Sequence, residues 1–119
     1  MEEYHGIIID ASQKFKSIFK NLRILGQKKS EKNKWVLYRI GVAAEGLEDT
    51  IQAIQNNMLP GYYFHIYRDG ELVVVFKDRV FRIKPDKTTW NEAIEHGKSL
   101  GIPEEQLDFF PCKRKDETY

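Results

Sequence analysis

The sequence predicts an α+β domain: a largely antiparallel sheet with two main helices packed on one face, containing a ferredoxin-like β-α-β-β segment. Three observations predict it. Branched and aromatic residues cluster in short runs separated by turn residues. Two other segments space their apolar residues at helical intervals. Asp69-Gly70 stands between two of the strand-like runs, which is the strongest short-range signal for a hairpin.

The first apolar run, Tyr4 to Ile9, ends at Asp10 and Ser12 and reads as a strand. Phe15, Ile18, Phe19 and Leu22 then fall at helical spacing, as a short helix or a single turn leading into an extended Leu22 to Leu25. Residues 26 to 34 are polar and rich in lysine, as at the exposed tip of a long hairpin. Trp35 to Val42 reads as a strand packed on both faces. Leu47, Ile51, Ile54 and Met58 follow on one helical face, which Pro60 and Gly61 end. With the strand from Tyr62, this completes a β-α-β unit.

The Asp69-Gly70 turn sets a register in which Arg68 faces Glu71, Ile66 faces Val73 and Phe64 faces Val75. Such a turn calls for positive φ at both positions. Tyr63, His65, Tyr67, Leu72, Val74 and Phe76 then share the other face. A further strand, Val80 to Ile83, follows Lys77-Asp78-Arg79. A three-residue loop places Phe81 and Ile83 with Phe64; a two-residue loop moves them to the face of His65. The three-residue loop is preferred because it separates Arg82 and Lys84 from the aliphatic side.

Thr89 and Glu92 have capping-box spacing for a second helix, with Trp90, Ala93, Ile94, Gly97 and Leu100 as its buried stripe and Gly101 as its stop. Pro103 suits the start of another short turn, and Phe109 and Phe110 are expected to tuck back onto the body. Residues 1–112 form one domain, and 113–119 read as a charged, frayed tail.

Apolar residues make up 41% and charged residues 31% of the chain, too rich in core-formers for disorder. The lone Cys112 has no disulfide partner, and no secretion signal precedes Ser12, so the expected location is cytoplasmic. No apolar run is long enough for a bilayer. Three histidines and one cysteine, without His-x-x-x-His or Cys-x-x-Cys spacing, predict no metal site, and no phosphate-loop motif predicts a nucleotide. The expected cofactor complement is therefore none.

The net charge of +1 hides a strong asymmetry. Residues 12–34 hold seven Lys and one Arg against Glu31, or +7, leaving −6 for the remainder. A solvated surface is the bland account of such a run; attraction to phosphates or acidic proteins is the functional one. Lys28, Lys29, Lys32 and Lys34 are the candidate nucleic-acid contacts. The leading expectation is a non-catalytic binding module for an acidic macromolecule such as RNA, or for an acidic protein.

The alternative is a small enzyme or small-molecule binder on the Tyr63, His65, Tyr67 face, with Arg82 as its candidate cation. Its bland counterpart is a face sealed by a helix, with these groups satisfying one another. Cys112 reads as an incidental thiol, His5 beside Asp10 carries no specific motif, and His96 reads as a boundary residue. A homodimer closed through a sheet edge or face is a further expectation.

Tyr63-Phe64-His65 leads into Val73-Val74-Val75-Phe76-Lys77-Asp78, and Gly97-Lys98-Ser99-Leu100-Gly101-Ile102-Pro103 precedes Gln106-Leu107-Asp108-Phe109. In these segments the chain resembles small prokaryotic proteins of uncharacterised function, over nearly its whole length. The resemblance implies a compact stand-alone protein and brings no activity, cofactor or functional residue.

Overall fold

The computed structural model describes residues 3–31 and 34–119. Six strands form one sheet: β1 (Tyr4–Ile9), β2 (Arg23–Lys29), β3 (Val36–Val42), β4 (Tyr63–Arg68), β5 (Glu71–Phe76) and β6 (Val80–Ile83). Their spatial order is β2-β3-β1-β4-β5-β6, and every neighbouring pair is antiparallel. Two helices complete the α+β fold, α1 (Leu47–Asn56) and α2 (Asn91–Ser99).

β3 and β4 both run antiparallel to β1, so they are parallel to each other and the β3-α1-β4 crossover passes over β1. This departs from the ferredoxin-like segment that was expected. There, the strand returning from β4 would fill the gap; here β1 fills it and β5 lies outside β4.

The helices lie on opposite faces of the sheet, a correction to the expectation of one shared face. α1 buries Leu47, Ile51 and Ile54 against Tyr4, Ile8, Ile40, Phe64, Ile66, Val73 and Val75. α2 packs Ala93, with Trp90 just before it, against Ile7, Tyr67, Leu72, Val74, Phe76 and Phe81. The reason is visible in β5, where Leu72 to Phe76 are buried without a break. A strand apolar on both sides needs cover on both sides. Each large side chain buried this way contributes about 2 kcal/mol relative to exposure.

The β4-β5 register is the expected one: Arg68 opposite Glu71, Ile66 opposite Val73, Phe64 opposite Val75. Its turn differs in detail, because only Gly70 has positive φ, at 74°. The β5-β6 loop has two residues, not three. Phe76 N–H donates to Arg79 O at 2.8 Å, Val74 faces Phe81 and Leu72 faces Ile83, which puts Phe81 and Ile83 on the α2 side. Two contacts account for the choice. Phe81 meets Phe76 edge-on at 5.8 Å, and Lys77 in the loop donates to the last carbonyls of α1, Gln55 O at 3.0 Å and Asn56 O at 3.1 Å.

At α2 the expected capping box is absent. Thr89 Oγ1 instead donates to Asp86 O at 2.7 Å and accepts from Lys84 N–H, while Asp86 caps the preceding turn at Thr88 N–H, 3.0 Å. The helix does end as expected. Gly101, at φ 86°, lets Ile102 N–H reach Gly97 O and Gly101 N–H reach Lys98 O, at 3.1 and 3.0 Å. Leu100 is exposed rather than buried.

Residues 106–119 return across the α2 side of the sheet. Leu107, Phe109 and Cys112 are buried there, whereas Phe110 points outward. The expected frayed tail is anchored through Glu117, whose carboxylate lies 2.6 Å from His5 Nδ1 and 3.2 Å from an Arg39 guanidinium nitrogen, and accepts from Tyr67 OH. The sheet beneath carries polar groups, and an irregular segment supplies the carbonyls and carboxylate that they need. Among the described residues, no helix is long and apolar enough to cross a membrane.

Candidate nucleic-acid interface

The basic arm begins where β1 ends. Asp10 accepts through one carboxylate oxygen from Ala11 N–H at 2.7 Å and from Val36 N–H at 3.0 Å, which ties the end of β1 to the turn end of the β2-β3 hairpin. Its backbone carbonyl accepts from Lys16 Nζ at 2.7 Å. One residue thus joins the Lys14-Phe15-Lys16 segment to the hairpin end that carries Lys29, Lys34 and Trp35. Asp10 is a structural link and stands at the opposite end of β1 from His5.

The 3-10 turn Lys16–Asn21 lays Ile18, Phe19 and Leu22 on the α1-side core, with Phe19 against Tyr38 at 4.7 Å between ring centroids. β2 follows as an edge strand, with an irregularity between Ile24 and Gly26 where it pairs with β3. Lys28 and Lys29 are in this strand, opposite Leu37 and Val36, and not in a loop as expected. Their side chains leave on opposite faces of the edge. Ser30 N–H closes the hairpin onto Trp35 O at 2.9 Å, and Lys34 is exposed beside it. Lys32 lies outside the described residues.

Among the described residues, Lys14, Lys20, Lys28, Lys29 and Lys34 form no ion pair, whereas Arg23 is engaged by Glu3. Lys16 is spent on the carbonyls of Asp10 and Gln13. Half-buried Trp35 and Tyr62 meet edge-on at the same end, 5.9 Å apart. A groove of about 390 Å3 opens next to Lys28, between Leu37 and the outward ring of Phe110, with Glu31 and Asp116 also lining it. Cations on an edge strand also discourage pairing with another sheet, which is the bland reading of Lys28 and Lys29.

The second candidate surface is closed. Tyr63, His65 and Tyr67 share the α2-side face as expected, but the returning C-terminal segment covers them, rather than a helix. Tyr63 OH donates to Gln106 O at 2.5 Å, and His65 Nε2 meets Pro111 O at 2.8 Å. Burial pulls the His65 pKa down to about 4, against the opposing pull of the Pro111 carbonyl. The ring is therefore neutral near pH 7 and donates through Nε2. Burial, and then the Glu117 carboxylate, push the Tyr67 phenol up. Arg82 is not brought to this trio: it emerges on the α1 side and holds Glu48 at 2.7 Å.

Sequence reasoning missed the cluster of His5, Arg39, Tyr67 and Glu117. Its members come from β1, β3, β4 and the C-terminal segment, and no local spacing announces them. Cys112 is buried, and burial raises its thiol pKa above the ordinary value. His96 bonds Asp78 at 2.9 Å beside Phe76 and Phe81, a boundary position as expected. No family model matches the chain, and no curated protein or solved structure matches it either.

Proposed function

We propose that this protein binds single-stranded RNA, without catalysis, through the basic arm that runs from Lys14 to Lys34. The observation that carries the reading is the set of five exposed lysines with no carboxylate partner among the described residues, on an arm of +7 set against −6 elsewhere. Unpaired cations gathered along one arm attract phosphates by releasing condensed counterions, and the affinity then falls with salt. Aromatic side chains at the same end favour unpaired bases over a duplex, whose bases are already stacked.

Fluorescence anisotropy with a labelled 12-nucleotide oligouridylate tests this. With five phosphates neutralised, affinity should fall roughly 100-fold between 50 and 200 mM salt, following a slope of about −0.7 per contact for single strands. Lys28→Gln, Lys29→Gln and Lys34→Gln combined should flatten the slope by about 2. Salt-insensitive binding, or equally tight binding of polyglutamate, would overturn the RNA reading, the latter in favour of an acidic protein.

A further inference from the structure

Phe15 is the most exposed large apolar residue described, at 61%. An exposed ring on a loose loop would carry no argument, but this one is held in place. Asn57, just past α1, accepts from Phe15 N–H at 3.2 Å and donates to Phe15 O at 2.9 Å. The Asn57 amide is itself fixed by buried Gln13, at 3.1 Å, and Lys14 N–H donates to Asn57 O at 2.7 Å. Leu59 N–H donates to Ser12 O at 2.8 Å, and Gln13 pairs with Met58 in an antiparallel bridge. A chain segment clamped at four successive residues therefore carries an aromatic ring that stands in solvent.

A positive charge stands against the ring. Lys14 Nζ stands 5.3 Å from its centroid, and Lys16 Nζ is pinned on the next turn by Asp10 O and Gln13 O, each at 2.7 Å. The nearest acid along the chain, Asp10, is turned inward onto two backbone N–H groups. A preordered ring beside an ammonium group matches a nucleobase next to its phosphate.

We infer that Phe15 is a base-stacking platform, the first fixed contact of a single strand that continues along the lysines toward Lys29 and Lys34. This rests on the RNA-binding reading and adds to it a residue that no charge pattern indicates. Stacking supplies affinity that does not depend on salt, whereas the lysines supply affinity that does.

The test uses the full chain with two probes, the 12-nucleotide oligouridylate and an abasic oligomer of equal charge. Phe15→Ala should weaken oligouridylate binding by between about 5-fold and about 150-fold with the salt slope unchanged. It should also reduce the preference for oligouridylate over the abasic strand by the same factor. Phe15→Trp should restore both, and Phe15→Leu should not, since a leucine keeps the apolar surface without a π-face. If Phe15→Ala binds as tightly as the parent with the same salt slope, the stacking platform is refuted and the RNA reading stands. If the parent shows no salt-sensitive binding, the RNA reading falls and this inference with it. A parent dimer that Phe15→Ala converts to a monomer in light scattering would make the ring a self-contact and overturn the inference.

Discussion

Gly97 sits in α2 at its closest approach to the returning C-terminal segment, and Gly97→Ala sets two effects of opposite sign against each other. Replacing a mid-helix glycine by alanine favours the helix by about 1 kcal/mol. The added Cβ, however, would lie 2.5 Å from Leu107 Cδ2, 3.0 Å from Leu107 Cδ1 and 3.2 Å from Phe76 Cε1. Leu107 is only 4% exposed and Phe76 fully buried, so neither side chain has open space to enter. Overpacking of this kind costs about 1 to 3 kcal/mol. The clash should win, leaving Gly97→Ala less stable by about 1 kcal/mol in urea denaturation with an unchanged m-value. Leu107→Ala alone should cost about 2 to 5 kcal/mol, and in that background Gly97→Ala should become stabilising by about 1 kcal/mol. A stabilising Gly97→Ala in the parent, or the same cost in both backgrounds, would refute the account of helix and segment locked through this contact.

Two further outcomes concern the polar groups under the same segment. Because the folded-state His65 pKa is about 4 against an ordinary 6.5, the unfolded chain binds the proton more readily, so stability is intact above pH 6.5 and declines as pH falls toward 4. The loss should approach about 3 kcal/mol in urea midpoints taken from pH 7 to 4, and an equal loss in His65→Gln would assign it to other groups. Glu117→Ala removes the shared partner of His5, Arg39 and Tyr67 and should cost about 2 to 3 kcal/mol, less than for a fully buried pair because Arg39 is still partly wetted. Glu117→Gln, which keeps an acceptor for Tyr67, should cost less; equal losses in both variants would show that charge, not hydrogen bonding, dominates.

Much of the local structure was legible because it depends on neighbours in the chain. Leu47, Ile51, Ile54 and Met58 recur at helical spacing, and all four are buried. Gly101 stops α2 because only glycine enters its left-handed conformation without strain. The pairing of Phe64 with Val75 follows once Asp69-Gly70 is read as a turn. The loop after Phe76 was misread because it was judged by which side the charges should take. Arg82 can lie on an apolar face near the sheet edge when its guanidinium reaches Glu48 at the start of α1, and that partner is 34 residues away.

The candidate site divides in the same way. Charge is additive along a chain, so the basic arm could be read directly, yet its lysines were placed in a loop when Lys28 and Lys29 belong to the edge strand. Phe15 read as the first residue of a helically spaced apolar set, and the clamp from Asn57, 42 positions on, holds its backbone where the ring faces solvent.

From its amino acids alone, then, this chain specified five of its six strands, its two helices, one hairpin register and the concentration of positive charge, each governed by residues close together in the chain. The folded molecule decided that the helices take opposite sides, that β1 separates β3 from β4, and that the imidazole and phenol groups of the sheet are closed over by residues 106–117. Those outcomes depend on which distant segment buries which surface. That choice is made by the free energy of the whole packed assembly, and no local pattern encodes it.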